Sequence, residues 1–60
     1  MKFKVHQIVR VKGEKPGSIN EYAHVRAVYD DGTYWIANLN MPFSGSISEV
    51  VTEQEIERIA

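Results

Sequence analysis

Sixty residues, 43% hydrophobic and 25% charged, fit one globular domain over residues 1–60 and exclude a second. The chain has no cysteine, so neither a disulfide nor a thiolate metal site can supplement its core, and a domain of this size buries only about 60% of its unfolded surface. A net charge of -1 argues against a general nucleic-acid coat, although residues 1–15 hold Lys2, Lys4, Arg10, Lys12 and Lys15 against Glu14 alone, while the seven remaining acids follow.

The N-terminal Met1-Lys2-Phe3-Lys4-Val5 has no long apolar run behind its charges, which predicts no signal peptide and no membrane span. With the missing cysteines, that is compatible with a cytoplasmic protein. Phe3, Val5, Val9 and Val11 alternate with Lys4, Arg10 and Lys12, predicting a half-buried strand over 7–12 with Phe3 and Val5 capping one end of the core. Gly13-Glu14-Lys15-Pro16-Gly17-Ser18 is loop chemistry. A second strand is expected over 22–29, with Ala23, Val25 and Ala27 on one face and Tyr22, His24, Arg26 and Val28 on the other. Its small alanines suggest either close approach by another strand or a bulge.

Asp31-Gly32 is a strong hairpin signal, read as a primed turn in which Gly32 accepts positive φ freely and Asp31 tolerates it. The third strand, over 33–39, is apolar on both faces: Tyr34 and Ile36 on one, Trp35, Ala37 and Leu39 on the other. A strand of that kind is either covered twice or exposes a binding patch. After a loop with Met41 and Phe43, a fourth strand is expected over 46–51. Thr52-Glu53-Gln54-Glu55 then matches a capping box, predicting one 3₁₀ turn before a short last strand from Ile56 to Ile59.

Five short strands, a turn-rich first loop, an Asp-Gly hairpin and a helical turn before the last strand together resemble an SH3-like barrel. Phe3-x-Val5-x-x-x-Val9-Arg10-Val11 is similar to the opening of many bacterial SH3-like domains, as is the ending from Val50 to Ile59. The resemblance spans nearly the whole chain and departs at His6-Gln7, where those families usually have Gly-Asp. It implies an all-β, five-stranded barrel and no particular function. The plasmid-type dihydrofolate reductases share this architecture, but their Val-Gln-Ile-Tyr run is absent from Ser46-Ile47-Ser48-Glu49-Val50-Val51.

No catalytic constellation stands out. His6 and His24, far apart and without cysteine, make a poor zinc set and are read as partly exposed strand or turn residues. Asp30-Asp31 is ordinary hairpin chemistry. Neither Ser44-Gly45-Ser46 nor Gly13-x-x-x-Gly17 completes a nucleophile elbow or a phosphate loop. The sequence therefore predicts a non-enzymatic module without cofactor or metal. Its contact surface would be aromatic, formed by Tyr22, Tyr29, Trp35 and Phe43, for a protein or peptide partner that includes a second copy of itself. The alternative is nucleic-acid binding through Lys4, Arg10, Lys12 and Lys15, with Tyr29, Tyr34 and Trp35 stacking bases. Against it, pairing of the first and last strands would set these cations opposite Glu55 and Glu57.

Overall fold

The computed structural model describes residues 2–40 and 45–59. Five strands form one antiparallel sheet: β1 (Ile8–Val11), β2 (Tyr22–Val28), β3 (Thr33–Asn38), β4 (Ser48–Thr52) and β5 (Ile56–Arg58). Their order across the sheet is β4-β3-β2-β1-β5, and a single 3₁₀ turn, Glu53–Glu55, enters β5. The chain is all-β among the described residues, with the sheet left open between β4 and β5. Among the described residues no helix is long and apolar enough to cross a membrane.

One face of the sheet holds the core: Phe3, Val9, Val11, Ala23, Val25, Tyr34, Ile36, Val51 and Ile56 are all buried. Phe3 meets the ring of Tyr34 edge-on, with centroids 5.4 Å apart and planes at 83°, the arrangement favoured by aromatic quadrupoles. The Tyr34 hydroxyl accepts a hydrogen bond from the Lys2 N–H at 3.2 Å, so the segment before β1 is held at both its backbone and its first large side chain.

The sequence counts Val50 and Ile59 among the core residues, and the phase of β4 differs from that expectation. Val51 faces the core opposite Tyr34, whereas Val50 points outward opposite Trp35 and is 57% exposed. Placing Ile47 and Val51 inward brings two large apolar side chains toward the core; the opposite phase through Ser46, Ser48 and Val50 would bring one. Val5 and Ile59, also expected in the core, lie beyond the strand ends and are exposed.

A bulge at Arg26 resolves the pattern of β2. Val25 pairs with Ile36 but Ala27 pairs with Trp35, so one extra residue sits on β2. Past it, Ala27 shares the outer face with Trp35, and Val28 packs against the core beside Tyr34.

The hairpin loop is one residue longer than a primed turn. Tyr29 N–H donates to Thr33 C=O at 3.0 Å and Gly32 N–H to Tyr29 C=O at 3.2 Å, leaving Asp30, Asp31 and Gly32 as the loop. Only Gly32, at φ +88°, lies in the left-handed region; Asp31 does not. This is a turn followed by a left-handed glycine, the usual three-residue hairpin solution. Asp31 instead accepts hydrogen bonds from the Thr33 hydroxyl at 2.6 Å and N–H at 3.1 Å. At the other end, the Glu55 carboxylate accepts from Thr52 N–H at 2.9 Å, the reciprocal arm of a capping box.

The turn before β1 carries the only non-glycine residue with positive φ among the described residues, His6 at +76°. Gln7 N–H closes it onto Lys4 C=O at 3.1 Å, which puts His6 at the third turn position, where a glycine is preferred. A β-carbon in this conformation costs about 1–2 kcal/mol, offset in part by glycine's greater loss of entropy on folding. His6→Gly is therefore expected to raise stability by about 1 kcal/mol, measured as a higher urea midpoint at unchanged slope.

Candidate binding face

The register that buries one face of the sheet assembles the other from three cross-strand rows. Val50, Trp35 and Ala27 form the first; Ser48, Ala37, His24 and Ile8 the second; Tyr22, Arg10 and Glu57 the third. Ile8, Tyr22 and Val50 are exposed, as is Leu39 just past β3. Trp35 is half-buried. The Arg26 guanidinium lies over its ring, 4.8 Å from the centroid, and its Nε1–H donates to Ser48 Oγ at 2.9 Å. The second apolar face of β3 is thus covered in part by its own neighbours and open at its margins.

Of the aromatic residues singled out by sequence, Tyr22 and Trp35 share this face. Tyr29 is exposed but sits at the hairpin end of β2, the far end from Tyr22. Phe43 and Met41 lie outside the described residues. Tyr34, considered as a base-stacking ring, is in the core at 1% exposure and is closed to that role.

The basic residues do not form one patch. Arg10 donates from Nε to Glu21 at 3.0 Å and from Nη1 to Glu57 at 3.1 Å, so its charge is taken up by two carboxylates. The expected neutralisation across β1 and β5 thus occurs at Glu57, with Glu21 as an added partner. Lys4, Lys12 and Lys15 are exposed in the segments flanking β1 and make no ion pair among the described residues.

Glu21 was not singled out in the sequence, where it reads as a polar residue leading into β2. Its Oε1 accepts from Gly17 N–H at 2.7 Å while Oε2 takes Arg10, fixing the first loop to β1. The Gly17 N–H, and after it the Arg10 guanidinium, hold the Glu21 carboxyl below its ordinary value. A depressed carboxyl contributes stability that is complete above the unfolded-state value and is lost as pH falls through the folded-state one. On acidification below about 4.3, the urea midpoint of the native chain should fall more steeply than that of Glu21→Gln, which starts lower at neutral pH. Parallel curves would remove Glu21 from the account.

Among the described residues, two of the surface hollows differ in the charge of their lining. One, of about 320 Å³, is lined by both signs of charge, Lys2, Lys12 and Arg58 beside Glu53 and Glu57. The other, of about 340 Å³, is lined by His6, His24, Arg26, Asn38 and Leu39, with no carboxylate. The two imidazoles that lie far apart in sequence thus border one cavity. Among the described residues no group of three or more His, Cys, Asp or Glu side chains is placed to hold a metal ion. Comparison with known proteins finds no matching family model, no matching curated protein and no matching solved structure.

Proposed function

We propose that this chain is a small non-enzymatic protein-binding module on an SH3-like scaffold, and that its contact surface is the outer face of the sheet around Trp35. The scaffold reading is supported by the strand order β4-β3-β2-β1-β5 and by the 3₁₀ turn directly before β5. The observation that carries the function is the outward row of Val50 beside Trp35, next to the open edge of β4. A strand edge with unpaired backbone groups and an exposed apolar side chain is a template for pairing with another chain.

A second copy of the chain is the partner this geometry favours. Antiparallel β4–β4 pairing would continue the sheet across a two-fold axis and set each Val50 row beside its equivalent, an isologous contact. Light scattering over a range of concentrations is the test. The native chain should show a dimer that Val50→Glu converts to the 6.9 kDa monomer, with stability at concentrations below dimerisation changed by no more than about 0.5 kcal/mol because Val50 makes little burial within the single chain. A native chain that stays monomeric at all concentrations would overturn self-association.

Nucleic-acid binding is the weaker reading, because Arg10 is already engaged and the remaining lysines are scattered. It would appear as oligonucleotide binding that falls steeply with salt and weakens in Lys4→Ala or Lys12→Ala.

A further inference from the structure

We infer that the hollow lined by His6, His24 and Arg26 is a binding site for a phosphate dianion, either free or as a monoester. This goes beyond the protein-contact reading and does not depend on it.

Backbone pairing builds the site. His6 N–H donates to Val25 C=O at 2.7 Å and Val25 N–H donates to Gln7 C=O at 2.9 Å, so the turn before β1 is stitched to the residue between His24 and Arg26. Three nitrogen-bearing side chains from two segments are thereby brought to one cavity. The Arg26 bulge adds a local kink at the same place, and the guanidinium lies over the Trp35 ring. Among the described residues Arg26 has no carboxylate partner, so its fork of N–H donors is not spent on an internal ion pair.

The chemistry of the lining selects the ligand. The Arg26 guanidinium offers positive charge and a fork of donors, the two imidazoles add ring N–H donors, and no acid lines the cavity to compete for them. Asn38 contributes a wall rather than a free donor, since its Nδ2 is bonded to the Ile19 carbonyl and to Asn20 Oδ1. A cation would find no counter-charge here. A tetrahedral dianion can take the guanidinium on two oxygens and imidazole N–H groups on the others, which a carboxylate with only two oxygens cannot. The volume, at the lower end of ordinary ligand pockets, suits a phosphate carrying a small substituent.

The backbone of His6 is the second observation. A glycine would take φ +76° without strain, and an imidazole stands there on the rim of the cavity instead. Strain of this kind collects at binding sites, where the side chain rather than the backbone explains the residue.

The test is a titration of the full chain with inorganic phosphate, at ionic strength held constant with chloride, followed by backbone amide and histidine ring resonances. Saturable shifts confined to the neighbourhood of His6, His24, Arg26 and Leu39 are expected. Arg26→Gln and His24→Asn should each keep a dispersed spectrum and weaken binding at least about tenfold, the factor for one lost charge-assisted hydrogen bond. His6→Gly should weaken binding while raising stability. A phosphate monoester should compete with inorganic phosphate, and a phosphodiester, with one charge fewer, should compete poorly. Shifts that do not saturate, that centre on Lys4, Lys12 and Lys15, or that survive unchanged in Arg26→Gln would overturn the inference. None of these outcomes depends on whether the chain self-associates, which light scattering reads separately.

Discussion

Phe3→Ala is expected to cost this chain more stability than any other substitution described for it. The side chain is fully buried and lies edge-on to Tyr34 at the centre of the core. Truncating a buried phenylalanine costs about 3–5 kcal/mol through lost burial and the cavity left behind. Sixty residues at about 0.05–0.15 kcal/mol each provide roughly 3–9 kcal/mol in total, so the loss consumes from about a third to all of it. The effect should exceed the volume term alone, because Lys2 N–H holds the Tyr34 hydroxyl and the start of the lead-in segment, ahead of the His6–Val25 backbone bonds, is anchored at this pair. Far-ultraviolet circular dichroism and Trp35 fluorescence during urea titration measure it. Phe3→Leu, which keeps an apolar side chain of nearby volume, should fold with a loss below that of the alanine variant. Equal midpoints for native and Phe3→Ala chains would mean that the segment before β1 is not part of the core.

Asn38→Ala should be nearly as damaging, by about 2–4 kcal/mol, although it removes little apolar surface. Asn38 is buried at the end of β3. Its Nδ2 donates to the Ile19 carbonyl and to Asn20 Oδ1, and its Oδ1 accepts from Asn40 N–H at 2.8 Å. Asn20 in turn accepts from Ile47 N–H at 3.1 Å and donates to Gly45 C=O at 2.9 Å. Two asparagines therefore tie the entrance of β2, the exit of β3 and the approach to β4. Alanine leaves part-buried donors and acceptors without partners, each costing about 1–3 kcal/mol. Asn38→Asp, of the same shape, places acceptor oxygens against the Ile19 carbonyl and should also destabilise. A loss under about 0.5 kcal/mol in either variant would show that water replaces the asparagine amide freely.

Much of this fold is legible in the sequence for local reasons. Val9 and Val11 alternate with charges, Tyr34 and Ile36 alternate across β3, glycine occupies the hairpin position that needs positive φ, and Thr52 and Glu55 stand at capping-box spacing. Features decided by register are harder to read. The phase of β4 depends on Ile47 as well as Val51, and the segment Ile47 to Val51 offers valines to both faces. The bulge at Arg26 left a trace in the broken alternation of Ala27 and Val28, but its position is set by pairing with β3. Of the candidate site, Tyr22 and Trp35 were placed together by simple alternation. The joining of His6 to His24 was not foreseeable, because it rests on backbone bonds from the turn to Val25. Asn38 was missed because a polar residue at a strand end ordinarily marks where burial stops.

The strand order has a kinetic consequence. β2, β3 and β4 form a meander in which each strand meets the next in sequence, so they can zip from the Asp31-Gly32 turn outward with short loop closures. β1 and β5 instead join residues 9–11 to residues 56–58, and nothing local helps them to meet. Loop-closure entropy therefore makes β5 the last strand to dock in folding and the first to be released in opening. Amides of the β1–β5 ladder should exchange with solvent ahead of those between β2 and β3, and a ribosome must finish Arg58 before the sheet can complete its order.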